Sequence, residues 1–220
     1  MTEESLEILE KSLDSEGMCE FTRSFVDDFE SAMNMDVDLV SDSDWTGVIF
    51  LGMGGSGSSG RFLKTISNQE GGIPFVVWND YNLPNWWGPE WLVIATSYSG
   101  NTEETLSGIN KALELGGMVV GISSGGVMSE ILAMHKGTVH VSIPKGQMPR
   151  SAFGHIFGAQ LAVCWSMGIL NRPNDDELQK MISRLKESTK KLDFSGGDGM
   201  SETLAKSLVD MEKGIVCPKL

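Results

Sequence analysis

Short apolar runs that stop at glycine or at hydroxyl-rich turns alternate with longer amphipathic stretches through most of the chain. Gly47-Val48-Ile49-Phe50-Leu51 is the first such run, rich in β-branched residues and apolar on consecutive positions, the pattern of a strand buried on both faces. Ile73 to Trp78, Leu92 to Thr96, Met118 to Ile122 and Thr138 to Ile143 repeat it. Helix-like segments near 58–68, 101–115, 127–135 and 150–168 separate or follow these runs. Strands alternating with helices predict an α/β fold: a doubly wound, parallel, five-stranded sheet flanked by helices, with right-handed crossovers.

The two ends read differently. Residues 3–40 predict one or two acidic amphipathic helices, with Phe21, Phe25, Val26, Phe29 and Met33 on one stripe that should cover the sheet. Beyond Arg172 the composition becomes charged: Asn174 is placed to N-cap a helix from Asp175 to about Leu192. A glycine loop at 194–199 and a short helix at 201–211 follow, so that helices continue after the sheet as a linker. Gly214 to Leu220 has the pattern of a strand, either a terminal edge strand or the first strand of a further domain.

Composition narrows the partners. Seventeen Lys and Arg stand against 30 Asp and Glu, a formal charge of −13, and no basic run offers the surface that nucleic acid or an anionic membrane requires. Cys19, Cys164 and Cys217 are odd in number and far apart, which predicts neither a disulfide framework nor a zinc site and fits the cytoplasm. The N-terminus has no basic start or apolar core of a signal peptide. Ser151 to Leu170 runs for 20 positions without Asp, Glu, Lys or Arg, yet it contains His155, Gln160, Ser166 and three glycines, so it reads as a buried helix rather than a membrane span. Gly154 and Gly158 lie one turn apart there, allowing a neighbouring helix or a second subunit to approach closely.

Chemistry is expected at two loops, because ligands of doubly wound sheets bind beyond the carboxyl ends of strands. Gly52-Met53-Gly54-Gly55-Ser56-Gly57-Ser58-Ser59-Gly60 follows the first strand, and its glycines permit close backbone approach while Ser56, Ser58 and Ser59 add hydroxyls at a helix N-terminus. Ser97-Tyr98-Ser99-Gly100-Asn101-Thr102 follows the Leu92 strand and places three hydroxyls around Gly100 before another helix, an arrangement that suits a phosphate, or else plain N-capping. A third feature, Gln147-Met148-Pro149-Arg150, sets proline where a helix begins and Arg150 in its first turn, where a cation opposes the helix dipole unless an anion sits beside it. A solvated surface arginine is the alternative.

The glycine stretch has rival readings. Gly55 to Gly60 has P-loop spacing, but Arg61-Phe62 follows where Lys and a hydroxyl residue are needed, which excludes nucleotide hydrolysis by that route. A dinucleotide reading requires an acid at the end of the second strand, and Asp80 is a late match.

Together the three motifs resemble the sugar isomerase (SIS) domain, and within it the archaeal-type bifunctional phosphoglucose/phosphomannose isomerases. Gly52-Met53-Gly54-Gly55-Ser56-Gly57, Ser97-Tyr98-Ser99-Gly100-Asn101-Thr102 and Pro149-Arg150 stand in that family's order. The resemblance implies a SIS, flavodoxin-like fold. It implies that Ser97, Ser99 and Thr102 hold the substrate phosphate, that Gly55 and Ser56 line the sugar, and that Arg150 stabilises a cis-enediolate. The implied reaction interconverts glucose 6-phosphate, and mannose 6-phosphate, with fructose 6-phosphate; it requires no metal or organic cofactor, and the family forms homodimers. The implied domains are a first SIS domain with N-terminal helices at 1–170, linker helices at 171–212 and the first strand of a second SIS domain at 213–220.

The departure from the family lies in the proton-moving groups. The family's glutamate base and ring-opening histidine belong to segments that the 220 residues do not contain, so the chain is expected to bind without isomerising. His155, one turn and a little beyond Arg150, reads as a packed or interface histidine; His135 and His140 read as helix-end and strand residues; Glu103 and Glu104 suit a helix's first turn. Trp86, Trp87 and Trp91 predict a packed loop, with a sugar-stacking platform as the sharper alternative. A sugar-phosphate-sensing SIS module and a dinucleotide-binding protein are the competing functions, and the acidic N-terminal region lacks the basic helix a DNA-reading regulator brings.

Overall fold

The computed structural model describes residues 12, 14–37, 39, 44–70, 72–193, 200, 201, 203, 204 and 207. Two compact units divide the chain, one spanning Asp27–Pro173 and the other combining Met1–Val26 with Asn174–Leu220. The elements in order are α1 (Met18–Arg23), α2 (Phe25–Met33), β1 (Gly47–Leu51), α3 (Gly54–Glu70), β2 (Phe75–Trp78), β3 (Trp91–Thr96), α4 (Glu103–Glu114), β4 (Val119–Ser123), α5 (Gly126–Met134), β5 (Thr138–Ser142), α6 (Phe153–Ser166) and α7 (Asp175–Leu192). Gly214 to Leu220, expected as a strand, and the 194–199 loop lie outside the described residues.

The five strands are all parallel, in the order β2-β1-β3-β4-β5. β1 and β4 are buried at every position, which is why the sequence shows them as continuous apolar runs without alternation. Successive side chains of a strand face opposite sides of the sheet. Ile49, Leu51, Val93 and Ala95 accordingly pack into one core with Ile109 and Ala112 of α4 and with Met128 and Leu132 of α5. Phe50 faces the other way, meeting Phe75 at a ring-centroid separation of 5.2 Å and lying directly beneath Gly60 of α3. Helices therefore cover both faces, and the sheet is doubly wound.

α6 is the apolar stretch without charges. It spans 14 residues, ten of them buried, and no helix among the described residues is long and apolar enough to cross a membrane. Its glycine face is occupied from within: a Cβ on Gly158 would lie 2.7 Å from Phe29 O and 2.8 Å from Met33 N, so α2 crosses α6 at backbone contact. Phe29 also stacks on Phe157 at 5.4 Å. Of the two neighbours that the Gly154/Gly158 spacing permits, Gly158 has taken the helix of the same chain.

In the other unit, α7 begins where the sequence places it. Asn174 accepts from Glu177 N at 3.0 Å while Glu177 Oε2 accepts from Asn174 N at 3.2 Å, a reciprocal capping box. Leu178 and Ile182 are its buried positions, and Arg23 approaches Asp193 at 3.6 Å.

Candidate functional site

Strand order reverses between β1 and β3: the chain proceeds from β1 outward to β2, then returns to the far side of β1 to build β3, β4 and β5. The loops leaving the carboxyl ends of β1 and β3 flank that switch point, the location at which open α/β sheets bind ligands. The two loops touch, since a Cβ on Gly52 would lie 2.9 Å from Thr96 O.

The first loop is shorter than its glycines suggest. α3 begins at Gly54, not near 58, so Gly54–Gly60 forms the helix's first turns and only Gly52 and Met53 remain as connection. Ser56 N and Gly57 N donate to Met53 O at 3.1 and 3.4 Å. The absent side chains let this helix end lie against the sheet. Ser58 Oγ donates to Gly54 O at 3.0 Å and Ser59 Oγ to Ser56 O at 2.9 Å, so these hydroxyls turn back onto their own helix instead of toward a ligand. Ser56 is different: among the described residues its hydroxyl makes no hydrogen bond, and it stays half-buried at the helix start. Gly55 is exposed, and a Cβ built on it would lie 3.8 Å from Pro149 O, which brings the glycine turn beside the Pro149-Arg150 turn.

The end of β2 supplies a residue that the sequence did not single out. Asn79 donates through Nδ2 to Gly52 O, and its amide fills the space where a Cβ on Gly57 would stand. An amide that grips the glycine loop thus stands where a dinucleotide site would need a ribose-binding carboxylate. Asp80, the sequence candidate for that part, bonds its own turn through Tyr81 N at 2.7 Å. The signal for Asn79 was its place at a strand end beside the glycine loop.

The second loop is held from three sides. Ser97 is 1% exposed, its Oγ lies 2.8 Å from Thr102 Oγ1, and it accepts from Gly100 N at 3.1 Å. Ser99 is exposed and accepts from Asn101 N at 3.2 Å. Gly100, at φ +71, leans on the β4–α5 loop so closely that a Cβ would overlap Gly125 O. Met128 N donates to Gly100 O at 2.9 Å and Val127 N to Asn101 Oδ1 at 3.0 Å, fastening α5's start to the same loop. Gly125 is held in turn by Ser123, whose hydroxyl lies 2.8 Å from His140 Nε2.

Thr102 occupies the N-cap position of α4 but makes no side-chain cap bond. Its hydroxyl pairs with Ser97 instead, so no side-chain cap of its own covers the first-turn N–H groups of a 12-residue helix. Plain N-capping therefore does not account for Thr102. Hydroxyls gathered at an uncapped helix N-terminus can satisfy an anion with several oxygens.

Arg150 lies in a turn, not in a helix's first turn: Ser151 N and Ala152 N both donate to Met148 O, at 2.9 and 3.2 Å, and α6 starts only at Phe153. Its guanidinium is exposed and forms no ion pair among the described residues. His155 is 7% exposed, with Nδ1 3.5 Å from Asp28 Oδ2, which makes it a packed histidine. His135 closes α5 on Ile131 O at 2.8 Å. Trp91 opens β3 at the strand end opposite the loops and Trp87 is buried in the core, so these two pack as expected, whereas Trp86 is 53% exposed and meets the Trp91 ring at 4.9 Å.

Fold and loop geometry together define a SIS-type α/β domain, and the SIS domain profile matches residues 43–170. The chain belongs to the SIS domain family. Its relatives include the bifunctional phosphoglucose/phosphomannose isomerase of Caldicellulosiruptor bescii, 36% identical over 165 residues, covering 74% of this chain and 48% of that protein. The enzyme of the same name from Thermoplasma acidophilum is 34% identical over 149 residues, covering 66% and 43%. The chain thus spans about half the length of the curated relatives it matches. Among solved structures, the C-terminal domain of glucosamine-fructose-6-phosphate aminotransferase from Francisella tularensis shares the fold, with a TM-score of 0.52 at 15% identity, covering 80% of this chain and 53% of that one.

Proposed function

We propose that Asp27–Pro173 is the substrate-phosphate domain of an aldose-ketose isomerase that interconverts glucose 6-phosphate, and mannose 6-phosphate, with fructose 6-phosphate through a cis-enediolate. Ser97, Ser99 and Thr102 hold the phosphate; Gly55 and Ser56 line the sugar; Arg150 is the cation beside the enediolate oxygens. The observation that carries this reading is Thr102: an N-cap residue that leaves its helix uncapped and turns its hydroxyl toward Ser97. The isomerase names of the relatives at 34–36% identity support the reaction class.

Moving a proton between C1 and C2 calls for a base, a ring-opening acid and a stabiliser of the developing oxyanion. Arg150 answers the last requirement, because a guanidinium keeps its charge throughout and can bond two oxygens at once. Arg150 forms no ion pair with a carboxylate among the described residues, and on this reading the base and the ring-opening acid come from residues outside this site. The domain acts in a cytoplasmic homodimer on this reading.

Calorimetric titration with fructose 6-phosphate tests it. Binding that weakens about tenfold in Ser99→Ala, the loss of one charge-assisted hydrogen bond, is the expected result. No heat with fructose 6-phosphate in the wild-type chain, or an unchanged Kd in Ser99→Ala, removes the assignment.

A further inference from the structure

The turn that presents Arg150 is reached through Pro144-Lys145-Gly146-Gln147, and two side chains outside every assigned role hold that segment. Tyr98 stands between Ser97 and Ser99 and is almost wholly buried. Its hydroxyl donates to Pro144 O at 3.1 Å and accepts from Gln147 N at 2.8 Å, so one phenol group closes both ends of the four-residue segment. From the other side, Gln147 Nε2 donates to Asp28 Oδ2 at 2.7 Å, on a helix 119 residues earlier in sequence. The carboxylate oxygen accepts from the amide N–H, which sets the orientation of the Gln147 amide. The same Asp28 oxygen lies 3.5 Å from His155 Nδ1 on α6, so α2, α6 and the segment meet at one carboxylate.

We infer that Tyr98 and Asp28 are positioning residues that clamp Pro144–Gln147 and thereby hold Arg150 at a set place relative to the Ser97–Thr102 loop. This rests on the function proposed above for Arg150. The physical need is specific: the guanidinium is exposed without an ion pair among the described residues, so its reach is governed by where the backbone puts Cα. A cation displaced by about 1 Å from a developing oxyanion loses much of its effect. Because Tyr98 belongs to the loop assigned to the phosphate, the same side chain spaces the phosphate end from the enediolate end.

Three variants of the full chain test the clamp against two probes, inorganic phosphate and a phosphorylated five-carbon aldonate whose carboxylate mimics the planar enediolate. Tyr98→Phe and Asp28→Leu should lose about tenfold in aldonate affinity and keep phosphate affinity within about twofold, the worth of a buried hydrogen bond felt at one end only. Asp28→Asn retains an oxygen to accept from Gln147 and should stay within about threefold of wild type. Amide exchange at Ser151 and Ala152 should speed up in Tyr98→Phe and Asp28→Leu, a readout that needs no ligand. Unchanged exchange there overturns the clamp, as does a parallel loss of both probes or an unchanged aldonate affinity. A wild-type chain that binds no aldonate overturns the proposed function instead, while the exchange result still judges the clamp.

Discussion

Gln160 Nε2 on α6 donates to Thr96 Oγ1 on β3 at 2.8 Å, and Gln160 has no solvent exposure at all. Thr96 is the last residue of β3 and immediately precedes Ser97, so a buried amide on α6 supports the strand end from which the hydroxyl loop departs. Gln160 Oε1 finds no partner among the described residues. Thr96→Val should therefore cost about 1–3 kcal/mol, since it leaves both ends of a buried amide unmatched. The pair Thr96→Val with Gln160→Leu should recover most of that loss, because replacing both partners removes the unmatched groups as well. Urea unfolding of the two singles and the double, as a double-mutant cycle, measures it.

Gly100 combines a left-handed backbone with a neighbouring carbonyl that a Cβ would overlap. Gly100→Ala is expected to destabilise the chain by at least about 2 kcal/mol, summing left-handed strain and backbone displacement. Thermal unfolding reads the destabilisation, and fructose 6-phosphate titration should show weakened binding because the displaced Gly100 belongs to the loop assigned to the phosphate; a stable variant with wild-type affinity would contradict the contact.

Ser97 and Ser99 should separate stability from binding. Ser97 is buried and bonded to Thr102 and Gly100, so Ser97→Ala should lower stability by about 1–2 kcal/mol and abolish sugar-phosphate binding together. Ser99 is exposed, so Ser99→Ala should leave the unfolding midpoint in place and weaken binding alone. Melting curves with and without fructose 6-phosphate distinguish the two.

Arg150→Lys should keep Tm and lose about tenfold in affinity for the phosphorylated aldonate, because an ammonium cannot bond two oxygens in the plane of a carboxylate. Arg150→Ala should lose more while also keeping Tm, since the side chain is exposed. Equal affinities of the three proteins would return Arg150 to the status of a solvated surface residue.

His140 links folding to pH. Burial holds its imidazole below the ordinary value of 6.5, with a hydrogen bond to the Ser123 backbone acting in the opposite direction. The unfolded chain therefore takes up a proton near pH 6.5 that the folded chain resists, and stability falls as pH drops below that value. His140→Gln should flatten the dependence of the urea midpoint between about pH 7.5 and 5.5, the range around an ordinary imidazole; an unaltered slope would show that another group carries it.

Most of the sheet was legible because parallel strands buried on both faces leave uninterrupted apolar runs, and all five runs lie within a residue or two of the observed strands. Asn174 was legible for a local reason: a capping box is written within four consecutive residues. Strand order was not, since it depends on which faces the crossover helices cover. The glycine stretch misled at its start, because α3 already begins at Gly54, and Gly57 and Gly60, which suggested an open loop, are close-packing positions of that helix. Asn79, Tyr98, Asp28 and Gln147 were missed for one physical reason. Each acts through tertiary hydrogen bonds to residues far along the chain, and neither periodicity nor local motif records such a contact.

The crossing of α2 over Gly158 bears on what counts as the inheritable piece. The SIS profile begins at residue 43, yet Phe29, Ala32 and Met33, which lie upstream of it, fill the slot that Gly158 opens in α6. A chain begun at residue 43 would keep every loop of the site but expose an apolar channel along α6. Such a shortened chain should aggregate or bind α2 offered as a separate peptide. The matched family segment starts at residue 43, and a transplant of this site is expected to need α2 as well.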